Sequence, residues 1–150
     1  MSAPSKAKMF VLSSIAIVAS VWAASQWWEK ALAIKVSTTI SPNGCYRVES
    51  FKPFWVLFDI FHPMPHPGEE AEPKWFPWWE YPGFYRLYDH RTGRLIAESN
   101  IYDLASVSGR IYWGGKGGHE VRSGLISIGP IDPDCVGGQP TQPPASSARE

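Results

Sequence analysis

The chain has only two cysteines and no excess charge of either sign, 14 lysines and arginines standing against 14 aspartates and glutamates in 150 residues. Cys45 and Cys135 are too few for a thiolate zinc site and too far apart for the close spacing of metal or redox pairs. The charge balance leaves no basic field to draw nucleic acid. Serines are present, but none stands in a GxSxG elbow, and no nucleophile can be nominated. Gly114, Gly115, Lys116, Gly117 and Gly118 match a phosphate loop in composition only, because the GxxxxGK[ST] spacing and a following helix are missing; a hairpin turn accounts for them. His62 and His66, with Glu69 and Glu70 close behind, sit among alternating prolines. Those favour polyproline II, which has three residues per turn and does not place positions four apart on one face. Paired carboxylates in such a run read as a solvated loop. The chain is expected to be non-enzymatic, with no cofactor and no metal.

What is present begins with one long apolar run. Lys6 and Lys8 precede an uncharged stretch from Met9 to Ala24, closed by Ser25, Gln26, Trp27 and Trp28. Counted from Met9 through Trp28 the run approaches the ~20 residues that a helix needs to cross ~30 Å of hydrocarbon. The lysines before it and Glu29 after it place the N-terminus in the cytoplasm and the rest of the chain across the membrane. Small residues suited to signal cleavage occur at Val21 and Ala23, at Ala23 and Ser25, and at Ala31 and Ala33, but the first two pairs lie inside the apolar run beside Trp22. Trp27 and Trp28 resemble an interfacial belt, so residues 1–33 are read as an uncleaved transmembrane anchor, with a cleaved signal as the alternative. A buried core helix would keep a polar face, and this one has none.

Past residue 33, 117 residues remain, enough for one small domain. Without Lys6, Lys8, Lys30 and Glu29 the exported part holds 11 basic and 13 acidic residues. An exported compartment is oxidising, so Cys45 and Cys135 are expected to form one disulfide.

Residues 34–136 read as a small, mainly β domain, an antiparallel meander. Ile34 to Ile40 and Cys45 to Phe51 alternate apolar and polar residues about a turn in which Asn43 and Gly44 supply positive φ. Phe84 to Asp89 and Leu95 to Ser99 flank a loop with Gly93 in the left-handed position. Ile101 to Val107 and Arg110 to Trp113 give further extended pieces. A last strand runs from Glu120 to Ile128, interrupted by Gly124, before Gly129, Pro130 and Pro133 end regular structure. Residues 137–150 have nothing to bury and are expected to be disordered.

An insertion from Phe51 to Phe84 breaks the pattern. It carries Phe51, Phe54, Trp55, Phe58, Phe61, Trp75, Phe76, Trp78, Trp79, Tyr81 and Phe84 among prolines at 53, 63, 65, 67, 73, 77 and 82. The prolines forbid a long helix or a central strand, although Phe54 to Phe61 could form a short helix. Core packing claims some of the rings. The remainder permit a membrane-interface platform, a surface for a protein partner, or stacking on glycan. Trp and Tyr anchor hot spots, and Glu69, Glu70, Glu72 and Glu80 give a negative rim that suits a basic partner and opposes anionic headgroups. A protein partner is therefore ranked first, with Phe54, Trp55, Trp75, Trp78, Trp79 and Tyr81 as contact residues. A glycan- or membrane-interface-binding module and a single-span accessory subunit of a membrane complex are the alternatives.

The stretch SPNGCYRVES at 41–50, then YPGFYRLYDHRTGRLIAESNIYDL at 81–104, then RIYW and the final strand resembles an uncharacterised family of short bacterial proteins, a domain of unknown function built from an N-terminal hydrophobic segment and a small exported domain. The resemblance covers most of positions 38–128. The SPNG turn and the DHRTG hairpin are also similar to single WD-type propeller blades, but one copy cannot close a propeller. Small anchored periplasmic domains of this layout look like immunity proteins that neutralise toxins passed between bacteria. The resemblance thus implies an inner-membrane protein with a periplasmic binding domain and brings no catalytic residues. The long aromatic insertion departs from the family's short segment, so the resemblance does not imply a shared partner.

Overall fold

An uncharged run without proline or glycine winds into one helix, α1 (Lys6–Ala31), long and apolar enough to cross a membrane. Two of its hydroxyls bond back along the helix: Ser14 Oγ donates to the carbonyl of Phe10 at 3.0 Å and Ser20 Oγ to that of Ala16 at 2.8 Å. The computed structural model describes residues 6–68, 72–114, 118–132 and 134–135. The expected tail at 137–150, and Glu69, Glu70, Gly115, Lys116, Gly117 and Pro133, lie outside the described residues.

After α1 the chain is mainly antiparallel β. Strands β1 (Ile34–Ile40), β2 (Tyr46–Lys52), β3 (Pro82–Asp89) and β4 (Leu95–Glu98) lie in that order, and β5 (Tyr102–Asp103) pairs with the start of β3 to complete a five-stranded sheet. A short helix α2 (Leu104–Val107) leads into a second, three-stranded sheet of β6 (Ile111–Tyr112), β7 (Glu120–Ser123) and β8 (Ile126–Pro130).

Four expectations are corrected. Leu104 to Val107 is helical, not extended, with its two buried members, Leu104 and Val107, on one side and Ser106 Oγ bonded back to the carbonyl of Asp103 at 3.0 Å. The single strand from Glu120 to Ile128 is a tight hairpin: Gly124, at φ 56°, reverses the chain where an interruption was expected, and the regular structure then continues through Gly129 and Pro130. The short helix at Phe54 to Phe61 shrinks to a 3-10 turn at Asp59–Phe61. At the first β turn only Gly44 takes positive φ, at 74°. Asn43 instead accepts the Cys45 N–H on its side-chain oxygen at 3.1 Å, so that only Gly44 is left-handed in the turn.

Period-two alternation gives β3 two different faces. Tyr85 and Leu87 point to one side with Val48 and join Leu104, Val107, Val121, Ile126 and Ile128 in the main core between the two sheets. Phe84 and Arg86 point to the other side, opposite Phe51 and Glu49 of β2 and Glu98 of β4. The Cys45–Cys135 disulfide spans 90 residues and ties the start of β2 to the segment after β8. Asn43 Nδ2 reinforces the tie by donating to the Cys135 carbonyl at 3.1 Å.

Candidate functional site

The second face of the large sheet receives the end of α1. Phe51 and Phe84 stack with centroids 5.4 Å apart, and the Arg86 guanidinium lies over both rings, 4.6 and 5.2 Å from their centroids. Arg86 also donates to Glu98 at 2.7 Å and to the carbonyl of Lys30, in the last turn of α1, at 2.9 Å. Lys30 Nζ in turn pairs with Glu98 at 2.9 Å and donates to the Ser99 carbonyl at 2.9 Å. Burial pulls the Glu98 carboxyl upward, but Lys30 and Arg86 outweigh it and hold the group below the ordinary glutamate range.

One turn of insertion closes over the same helix end. The backbone N–H of Phe54 donates to the Glu29 carbonyl at 2.9 Å, and Trp55 Nε1 donates to the Glu29 carboxylate at 3.2 Å. His62 brings Nδ1 to 3.6 Å from that carboxylate and stacks flat on Trp55 at 4.2 Å. Trp79 meets Trp55 edge-on at 5.1 Å and donates its indole N–H to the His62 carbonyl at 3.2 Å. The cover reaches back along α1: Ser25 is buried, and Ala24 and Gln26 are partly covered. A cleft of about 200 Å³ remains between Gln26, Glu29 and Lys30 on one wall and Trp55, His62 and Pro63 on the other. His62 is buried with no hydrogen-bond partner for Nε2 among the described residues, and burial holds its pKa below the ordinary histidine value.

The contact residues expected from the sequence separate into two groups. Trp79 is only 6% exposed and Trp55 is half-buried. Trp79 is an interior part of the insertion, a correction that follows from its indole N–H donating to the His62 carbonyl, whereas Trp55 keeps one side open toward the cleft. Trp78, Trp75, Phe54 and Tyr81 are exposed, Trp78 at 88% and Trp75 at 67%. Trp78 is held out by construction, since Pro77 and Trp79 on either side of it are buried. Just beyond, the Asp103 carboxylate accepts the N–H groups of Tyr81 at 2.8 Å and Glu80 at 3.4 Å, and Leu104 N–H bonds the Tyr81 carbonyl at 2.8 Å. Glu80 and Glu72 are exposed beside these rings.

Sequence reasoning gave no role to three further exposed rings. Phe58, Phe61 and Phe76 all reach solvent, and Phe61 and Phe76 meet edge-on at 6.4 Å. Phe76 has φ 53°, the left-handed region that a bulky residue rarely occupies. No hydrophobic periodicity marks such a position. Among the described residues no group of three or more metal-binding side chains comes together.

No protein-family model matches the chain, and neither a curated protein nor a solved structure does.

Proposed function

We propose that this chain is a non-enzymatic, membrane-anchored protein whose β domain stands in the periplasm and binds a protein partner through the exposed rings of its aromatic insertion. The observation that carries the reading is the placement of Trp78. An indole this exposed stands out between two buried neighbours, Pro77 and Trp79, just before the Glu80 and Tyr81 backbone that Asp103 holds, so its position is set by the fold. Trp75, Phe54 and Tyr81 extend the apolar contact, while Glu72 and Glu80 form an acidic rim that favours a basic partner. α1 supplies the anchor, and the disulfide suits an oxidising compartment. The layout fits an immunity protein that neutralises a toxin at the inner membrane.

The test is affinity capture from crosslinked membranes with the full-length protein and its Trp78→Ala variant. The reading requires one specific protein to be recovered with the parent and lost with the variant while the melting temperature is unchanged. Equal recovery by both, with the deletion phenotype complemented by both, sinks it.

A further inference from the structure

We propose that Phe58, Phe61 and Phe76 form a lipid seat, inserted at the headgroup and acyl boundary of the outer leaflet beside α1; the inference rests on α1 spanning the membrane and is independent of the protein partner. Continuity with the helix fixes the occupant. α1 is 26 residues long, roughly 39 Å at 1.5 Å per residue, and this approaches the ~40–45 Å of a bilayer with both interfacial layers included. Its last turns therefore lie within the outer interface. The β domain meets α1 not only at Glu29 and Lys30 but back to Gln26, which faces Trp55 and His62, and Ser25, at the end of the apolar run, is buried. A domain that covers those turns reaches down to interfacial depth.

The part that reaches it is the insertion. Phe61 adjoins His62, whose ring faces the Glu29 carboxylate, and Phe76 packs against Phe61. Phe58 begins the same 3-10 turn. Like Phe54, these rings are purely apolar, with no N–H or O–H to satisfy, and they are more exposed than Phe54 on the insertion that bonds the helix exit. The left-handed backbone of Phe76 holds its ring outward at a conformational cost that water contact alone does not repay. Trp27 and Trp28, both exposed near the end of α1, suit the same interfacial layer. Glu72 is exposed nearby, so the seat gains nothing from anionic lipid and relies on apolar insertion.

Spin labels placed singly at Phe58→Cys, Phe76→Cys, Ile15→Cys and Leu125→Cys, with the native disulfide intact, test the seat in full-length protein in phosphatidylcholine nanodiscs. Accessibility to oxygen is compared with accessibility to a water-soluble nickel chelate. All four positions are exposed on the protein itself, so the labels perturb folding little. The seat predicts that positions 58 and 76 share the oxygen-rich, nickel-poor signature of position 15, while position 125 is aqueous. If position 15 is lipidic and positions 58 and 76 match position 125, the seat is wrong and the anchor stands. An aqueous signature at position 15 removes the anchor and the seat with it. Exclusion of both reagents at 58 and 76 overturns the seat in favour of a covering protein.

Discussion

Trp55 Nε1 donates to the carboxylate of Glu29 at 3.2 Å, joining the insertion to the last turn of α1 across 26 positions of sequence. The bond puts α1 and the aromatic insertion in one packed unit. Through Trp55 the contact continues to His62 and Trp79, and Trp79 is the buried neighbour that holds Trp78 outward.

Glu29→Ala removes the acceptor and leaves the Trp55 N–H without its partner. The expected loss is about 1–3 kcal/mol, the usual range for a hydrogen bond to a charged group. Glu29→Gln keeps an acceptor and should lose less. Chemical denaturation of the detergent-solubilised protein gives the loss, and limited proteolysis within 53–81 reports whether the insertion loosens first.

Much of the fold was legible in the sequence because it rests on local signals. Ile34 to Ile40 alternates cleanly and forms a strand with those bounds; Gly93 takes φ 71° in its loop; Cys45 and Cys135 pair. The misread parts are those where local pattern and packing diverge. Leu104 to Val107 carries enough apolar residues to pass as a strand, yet coils so that Leu104 and Val107 both reach the core. The docking of α1 was not legible at all. Lys30, Arg86 and Glu98 are each unremarkable charges, and only the β3 and β4 pairing brings them together. Among the site rings, exposure of Trp78 and burial of Trp79 follow from backbone geometry that two adjacent identical residues do not announce.

His62 and Glu98 should each destabilise the domain in acid, partly offset by Glu29, whose carboxyl pKa is raised by burial and whose protonation therefore favours the folded state. His62 has a folded pKa below its unfolded value of about 6.5, so between the two the unfolded chain binds the extra proton and stability falls as pH drops through about 6.5. Glu98 is also depressed in the folded state; its contribution is present above the unfolded glutamate value of about 4.3 and is lost as pH falls through the lower folded value. Melting temperature measured from pH 8 downward, roughly to pH 3, should decline in both windows. His62→Phe should flatten the upper one and leave the lower.

Reduction of the disulfide, or the double change Cys45→Ala and Cys135→Ala, opens a loop closed across 90 residues. The chain-entropy treatment puts the loss at about 4–5 kcal/mol, a large share of a small domain's stability. A denaturation midpoint unaltered by reductant would show that the bridge does not constrain the unfolded chain.

Gly124→Ala tests the hairpin that replaced a single strand. A Cβ at φ 56° would lie 2.5 Å from the Val107 carbonyl oxygen and 2.8 Å from the Ser108 carbonyl carbon, both backbone atoms. The left-handed conformation alone costs about 1–2 kcal/mol, and the clash adds to it. Loss of the β7 and β8 amide protection in hydrogen exchange, ahead of β2 and β3, is the expected sign.

The most direct measurement is site-specific photocrosslinking in intact cells, with a photoreactive phenylalanine at Trp78 and, as a control, at Leu125, whose side chain is exposed on the β7–β8 turn outside the insertion. The account predicts one discrete crosslinked protein from position 78, absent from position 125 and diminished when Trp75 is also replaced by alanine. Identical crosslinking patterns at the two positions, or none at 78 in cells where the deletion phenotype is complemented, would contradict it.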